Sequence, residues 1–228
     1  VDDAAMARPL VGLISRLTDQ KGFDIIAAAS PELMALEATW VMLGSGERRY
    51  EEAWRALDAS LPDRVSTTIG FDERLAHHIE AGADMFLMPS RFEPCGLNQM
   101  YCLRYGTVPI VRAVGGLVDT VRPYNPKNGQ GTGFLFSDYE PGVMLQTLEA
   151  ALTAFRNKKV WTLADRHLGE VAAHRHPFLI TGCRRHARQD PDAAFEGSAP
   201  RRDGALHLRP SARLPDLRGE WRLRVAGY

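Results

Sequence analysis

The sequence predicts an α/β fold in which a parallel sheet carries helices on both faces. Short, near-continuous apolar runs alternate with longer amphipathic stretches, the rhythm of strand–helix–strand crossover units. The apolar runs lack an in/out alternation, as strands buried on both faces should. The 228 residues, 45% hydrophobic and 25% charged, supply enough apolar side chains for a core of that kind.

The elements follow in order. Leu10-Val11-Gly12-Leu13-Ile14 reads as a buried strand, followed by a polar loop and a helix from about Gly22 to Leu36. Trp40-Val41-Met42-Leu43 is a second strand and Arg48 to Ser60 a second helix. Val65 to Ile69, rich in β-branched residues, is a third strand. The helix after it, Asp72 to Ala81, begins on a residue that can cap it. Met85-Phe86-Leu87-Met88 is the fourth strand, and a helix runs from about Gly96 to Tyr105. Val108 to Val111 is the fifth, ended by Gly115-Gly116 and a short helix. A loop from Asn125 to Gly133 leads to a last strand, Gly133 to Phe136, and a helix from about Pro141 to Arg156.

This pattern places an α/β domain at 9–164, after a linker at 1–8. Beyond it the composition changes. All four lysines precede position 160, whereas twelve arginines and five of the seven histidines follow Asp165. With scattered prolines and no sustained period, 165–228 reads as a poorly ordered tail. A nucleic-acid arm would share its arginines, but aromatics are sparse and acidic residues intervene. Translation of GC-rich DNA in a shifted frame would also give such a composition.

A formal net charge of zero offers no global attraction to nucleic acid or membrane. Three cysteines without metal-ligand spacing suit a reducing compartment. No run of about 18 apolar residues exists, and the first residues do not resemble a signal peptide. The expectation is a soluble, cytoplasmic protein that binds neither membrane nor nucleic acid.

Five polar clusters fall just after strands, so the fold should gather them on one rim. Arg16 and Lys21 bracket a loop before a helix start, which suits a diphosphate, although basic loop residues are often only solvated. Gly44-Ser45-Gly46-Glu47 could admit a ligand or form a plain turn. Phe71 could stack a nucleobase at the rim or belong to the core. Ser90-Arg91-Phe92-Glu93-Pro94-Cys95-Gly96-Leu97-Asn98-Gln99 combines a carboxylate, a thiol and a glycine at a strand-to-helix corner, where ligands bind in open α/β sheets. There Glu93 could hold sugar hydroxyls, and the amides of Cys95, Gly96 and Leu97 a polar group; Cys95 could equally be a buried apolar residue. Gly115-Gly116 offers a second amide cradle for phosphate. No Walker loop, dinucleotide fingerprint or zinc spacing is present. Nor does a second carboxylate pair with Glu93 as in a two-carboxylate glycosidase.

Ser15-Arg16-Leu17-Thr18-x-x-Lys21-Gly22, Pro89 to Leu97 and Tyr105 to Arg112 together resemble bacterial glycogen synthase and plant starch synthase. Gly115-Gly116-Leu117-x-Asp119-Thr120-Val121 and Gly131-Thr132-Gly133-Phe134 extend the likeness, which covers about residues 8 to 164. The resemblance implies the Rossmann-like C-terminal half of a two-domain GT-B glycosyltransferase. Such an enzyme moves glucose from ADP-glucose to the non-reducing end of an α-1,4-glucan with retention and needs no metal or other cofactor. It further implies that Arg16 and Lys21 hold the donor diphosphate and stabilise the leaving group. Glu93 would be the essential acid that binds the donor glucose. Cys95, Gly96 and Leu97, with Asn98 beside them, would face that sugar, Gly115 and Gly116 the phosphate, and Phe71 the adenine. Where related glycosyltransferases carry a second glutamate, Tyr101 stands, as is common in this family.

Two departures accompany the likeness. Val114 replaces the threonine usual before the glycine pair. The family's Phe-Ser-Trp segment does not follow Trp161, and its N-terminal acceptor domain with Lys-x-Gly-Gly-Leu has no counterpart in this sequence. The expectation is a synthase fragment that supplies the donor site but hardly turns over alone. The alternatives are a non-catalytic nucleotide-sugar-binding module and an inactive truncated product.

Overall fold

The computed structural model describes residues 8–157 and 161. The expected tail, and all of the expected linker but Arg8, lie outside the described residues. Six strands form one sheet: β1 (Leu10–Ile14), β2 (Thr39–Gly44), β3 (Val65–Ile69), β4 (Met85–Met88), β5 (Val108–Arg112) and β6 (Phe134–Phe136). Every pairing is parallel, and the spatial order is β3-β2-β1-β4-β5-β6. Among the described residues seven α-helices accompany them, the first six in the connections and the seventh after β6: α1 (Phe23–Ala28), α2 (Ser30–Ala35), α3 (Arg48–Ser60), α4 (Glu73–Gly82), α5 (Asn98–Tyr105), α6 (Gly116–Thr120) and α7 (Pro141–Arg156).

The unbroken apolar strands have a direct explanation in the core. Alternate residues of each central strand enter two different clusters on opposite faces. Val11 and Leu13, Trp40 and Met42, Met85 and Leu87 pack with Phe23, Ile26, Leu33, Trp54, Met144 and Leu148 of α1, α2, α3 and α7. Leu10, Val41, Leu43 and Phe86 pack with Ile79 of α4 and Cys102 of α5. The central strands β1, β2 and β4 therefore bury both their faces, whereas the edge strand β3 leaves Ser66, Thr67 and Thr68 partly open. The α/β expectation holds, and so does the cap: the Asp72 carboxylate accepts the Leu75 amide at 2.9 Å.

Two boundaries differ from the sequence reading. The helix expected from Gly22 to Leu36 is two helices, α1 and α2, broken at Ala29. Pro31 is the cause, because it lacks an N–H and its ring would clash with the carbonyl one turn earlier, whereas it is tolerated in the first turn of a new helix. The helix expected from Gly96 starts at Asn98, since Gly96 has φ +71° and belongs to the preceding loop.

Strand order positions the site. From β1 the chain proceeds to β2 on one side, while β4 lies on the other side and leads away to β5. Loops leaving the carboxyl ends of β1 and β4 thus diverge and leave a crevice between them, the usual ligand position in open α/β sheets.

Candidate functional site at the switch point of the sheet

A cleft of about 350 Å³ occupies that crevice. Ser15, Arg16 and Lys21 reach it from the loop after β1, Gly44 and Ser45 from β2, and Gly70 and Phe71 from β3. Ser90, Glu93, Gly96, Leu97 and Asn98 close it from the loop after β4. Seven of the ten expected site residues therefore line a single cleft: Arg16, Lys21, Phe71, Glu93, Gly96, Leu97 and Asn98.

At its base Lys21 donates from Nζ to Glu93 Oε2 at 2.5 Å, across 72 positions of chain. The Glu93 side chain is 9% exposed and that of Lys21 20%, so the carboxylate is the more deeply held partner. Ser90 Oγ lies 3.4 Å from the same carboxylate oxygen. Gly22 makes this pairing possible. It has φ +85°, and a Cβ there would stand 2.2 Å from the Pro89 carbonyl oxygen. Only glycine lets the turn at Asp19–Lys21 lie directly on the chain leaving β4, which brings Lys21 over Glu93.

The rim is differently built. Arg16 is exposed, and Phe71 is 90% exposed, so it is not the core residue its type also permitted. Leu97 is exposed as well, while Asn98 is fixed by donating from Nδ2 to the Ile14 carbonyl at 3.1 Å. The glycines of the β2 loop serve close backbone contact: a Cβ at Gly44 would sit 1.9 Å from the Ser15 carbonyl oxygen. The Leu17 amide then donates to Ser45, and the Glu47 amide to Leu17, which zips the first two polar clusters together.

Three expected site residues are placed elsewhere. Cys95 is exposed, neither buried nor in the wall of the cleft. Gly115 and Gly116 lie against the Glu93 loop, outside the lining of the cleft. The Gly116 amide is engaged by the Glu93 and Pro94 carbonyls at 3.2 and 3.3 Å, and the Leu117 amide by Val114. A Cβ would stand 2.1 Å from the Glu93 carbonyl oxygen at Gly115, and 2.2 Å from that of Cys95 at Gly116. The pair is a backbone seat for the loop.

Supporting residues escaped the sequence reading. Gln99 is fully buried and donates from Nε2 to the Cys95 and Gly96 carbonyls and to Thr120 Oγ1 at 3.0–3.2 Å. The Tyr50 hydroxyl donates to the Asp19 carboxylate, which holds that carboxyl below its ordinary range. Burial and the same bond push the Tyr50 hydroxyl up. Tyr139, from the loop between β6 and α7, reaches the Asp19 carbonyl at 2.9 Å and also the Asp24 carboxylate. Among the described residues, no group of His, Cys, Asp and Glu converges as a metal site requires, and no helix is long and apolar enough to cross a membrane.

A cation, an acid and exposed loop backbone meet at the carboxyl edge of a parallel sheet with this strand order. That combination defines the doubly wound α/β class with a ligand cleft at its switch point. Within that class, the family of glycosyl transferases group 1 matches residues 3–159, and the chain belongs to that family. It is similar to the glycogen synthase of Anaeromyxobacter dehalogenans, 56% identical over 163 residues, which cover 71% of this chain and 34% of that protein. The glycogen synthase of Kosmotoga olearia is 50% identical over 153 residues, 67% of this chain and 32% of that one. Among solved structures, the catalytic domain of starch synthase IV from Arabidopsis thaliana, bound to ADP and acarbose, superposes with a TM-score of 0.64 at 32% identity, covering 74% of this chain and 37% of that one. The fold is accordingly that of a Rossmann-like unit of a GT-B glycosyltransferase. The chain spans about a third of the length of the synthases it matches.

Proposed function

We propose that this chain forms the donor side of a cytoplasmic glucan synthase that transfers glucose from ADP-glucose, with retention, to the non-reducing end of an α-1,4-glucan. The observation that carries the reading is the Lys21–Glu93 pair at the base of the switch-point cleft. In the reaction the bond between glucose C1 and the diphosphate breaks, and a bond from C1 to the acceptor 4-hydroxyl oxygen forms. The hydroxyl proton leaves with the departing nucleotide or to solvent. Arg16 and Lys21 stand where they can neutralise charge on the departing diphosphate, the point at which electrostatic stabilisation contributes most. Glu93 offers a carboxylate to the sugar hydroxyls, with Gly96, Leu97 and Asn98 beside it and Cys95 on the outer side of the loop. Gly115 and Gly116 hold that loop from behind.

Phe71, 90% exposed in the lining of the cleft, would serve as a platform for the base. Phe71→Ala should weaken ADP binding by about 1–2 kcal/mol, the worth of stacking one base. Because the ring is exposed, the melting temperature should stay unchanged. Parallel calorimetric and thermal titrations check this; a variant that binds ADP like the parent removes Phe71 from the base site.

ADP over UDP as the nucleotide is supported by likeness to glycogen and starch synthases, one of them solved with ADP and acarbose. Competition between ADP-glucose and UDP-glucose for the chain tests it, and tighter UDP-glucose binding overturns it. Transfer requires donor and acceptor to be fixed together, and the described domain supplies the donor wall. Labelled glucose incorporated into glycogen by this chain alone should therefore be negligible. Rates comparable to those of a two-domain synthase would contradict the division of labour proposed here.

A further inference from the structure

We propose that Tyr139 is a positioning residue that, with Asp24, Arg91 and Arg112, buckles the turn carrying Lys21 to the loop carrying Glu93. The inference rests on the donor-site reading above. Tyr139 does not line the cleft. Its hydroxyl reaches the Asp19 carbonyl at 2.9 Å and the Asp24 carboxylate, both beside Lys21 in the chain. Two guanidiniums stack on its ring: Arg91 at 4.6 Å and Arg112 at 5.1 Å from the centroid. Arg91 donates to Asp24 at 2.8 Å, and Arg112 to the Arg91 carbonyl at 2.9 Å and the Ser137 carbonyl at 3.0 Å. The Arg91 amide completes the link by donating to the Gln20 carbonyl at 2.9 Å.

Two successive carbonyls of the Lys21 turn are thus gripped, Asp19 by Tyr139 and Gln20 by Arg91. Both grips connect to the segment that leads two residues later into Glu93. The Arg91–Asp24 pair is largely exposed, and pairs of that kind add little to stability. Burial and the bond to Asp24 push the Tyr139 hydroxyl up to about 12, so it remains a donor throughout the neutral range. A network whose ion pair adds little stability, yet which joins the two segments bearing the charged groups, sets where those groups stand. Placement errors near 1 Å at reacting groups carry large penalties.

The test is a double-mutant cycle on the full chain, reading ADP-glucose affinity by calorimetry. Tyr139→Phe keeps the ring and its stacking and removes only the hydroxyl. It should weaken ADP-glucose about fivefold, and combined with Lys21→Ala it should weaken binding no further than Lys21→Ala alone. Such coupling is not produced by a purely structural residue, whose effect would persist in either background. Unchanged affinity in Tyr139→Phe, or a loss that adds fully to that of Lys21→Ala, overturns the inference and leaves the donor site standing. A parent chain that does not bind ADP-glucose, or binds it regardless of Lys21, overturns the donor site and the inference with it. Asp24→Asn, which weakens the same buckle from its other end, runs through the same cycle and must give the same coupling.

Discussion

Gly115→Ala is expected to cost about 3 kcal/mol of stability and to abolish a well-formed cleft. Gly115 has φ +47° and ψ −134°, a backbone conformation costly for any residue with a side chain. The added methyl would also stand 2.1 Å from the Glu93 carbonyl oxygen, a backbone atom with no rotamer by which to escape. Relief requires the whole loop from Glu93 to Gly96 to move, and Gln99 and the Gly116 amide hold it from two sides. For a chain of this size the melting temperature should fall by about 6–12 °C. Gly142→Ala is the control: a Cβ there meets nothing within 4 Å, and alanine in α7 should be neutral or slightly stabilising. Thermal melts of the two variants decide the matter. A Gly115→Ala protein that melts with the parent would show that the pair is no seat for the loop.

Lys21→Ala is expected to weaken ADP-glucose by about 2–3 kcal/mol, some 30- to 150-fold, because the proposed function gives Lys21 a charge-assisted contact to the diphosphate. It should also destabilise the chain by about 1–2 kcal/mol, less than a fully buried pair would give because Lys21 is partly exposed. The loss arises at Glu93, whose carboxylate would remain in the cleft base with Ser90 Oγ at 3.4 Å as its other side-chain partner. Glu93→Gln should destabilise less, since the lysine left behind can turn its ammonium to solvent. Chemical denaturation of both variants measures the asymmetry, and a larger loss for Glu93→Gln would mean that Lys21 is the more trapped charge.

The strands were legible because the large residues of β1, β2 and β4 alternate between two apolar clusters, leaving runs with almost no polar interruption. The amphipathic pattern continues through Pro31, from Phe23 and Ile26 to Leu33, and concealed the break between α1 and α2. Glycine was the ambiguous letter. At Gly115 and Gly116 sequence alone does not show that another stretch of backbone packs directly against the pair. Lys21 and Glu93 were legible as types, but their contact depends on β1 and β4 being neighbours. Tyr139 carried no local signal, because its partners Asp19 and Asp24 lie more than a hundred positions away in the chain.

The central claim is that Glu93 reads the sugar of a nucleotide-sugar held by Lys21 and Arg16. Its most direct test compares ADP and ADP-glucose binding to the parent chain and to Glu93→Gln. The account predicts that ADP-glucose binds the parent more tightly than ADP and that Glu93→Gln erases this difference while ADP affinity changes less than about threefold. An advantage for ADP-glucose that survives the substitution intact would contradict it.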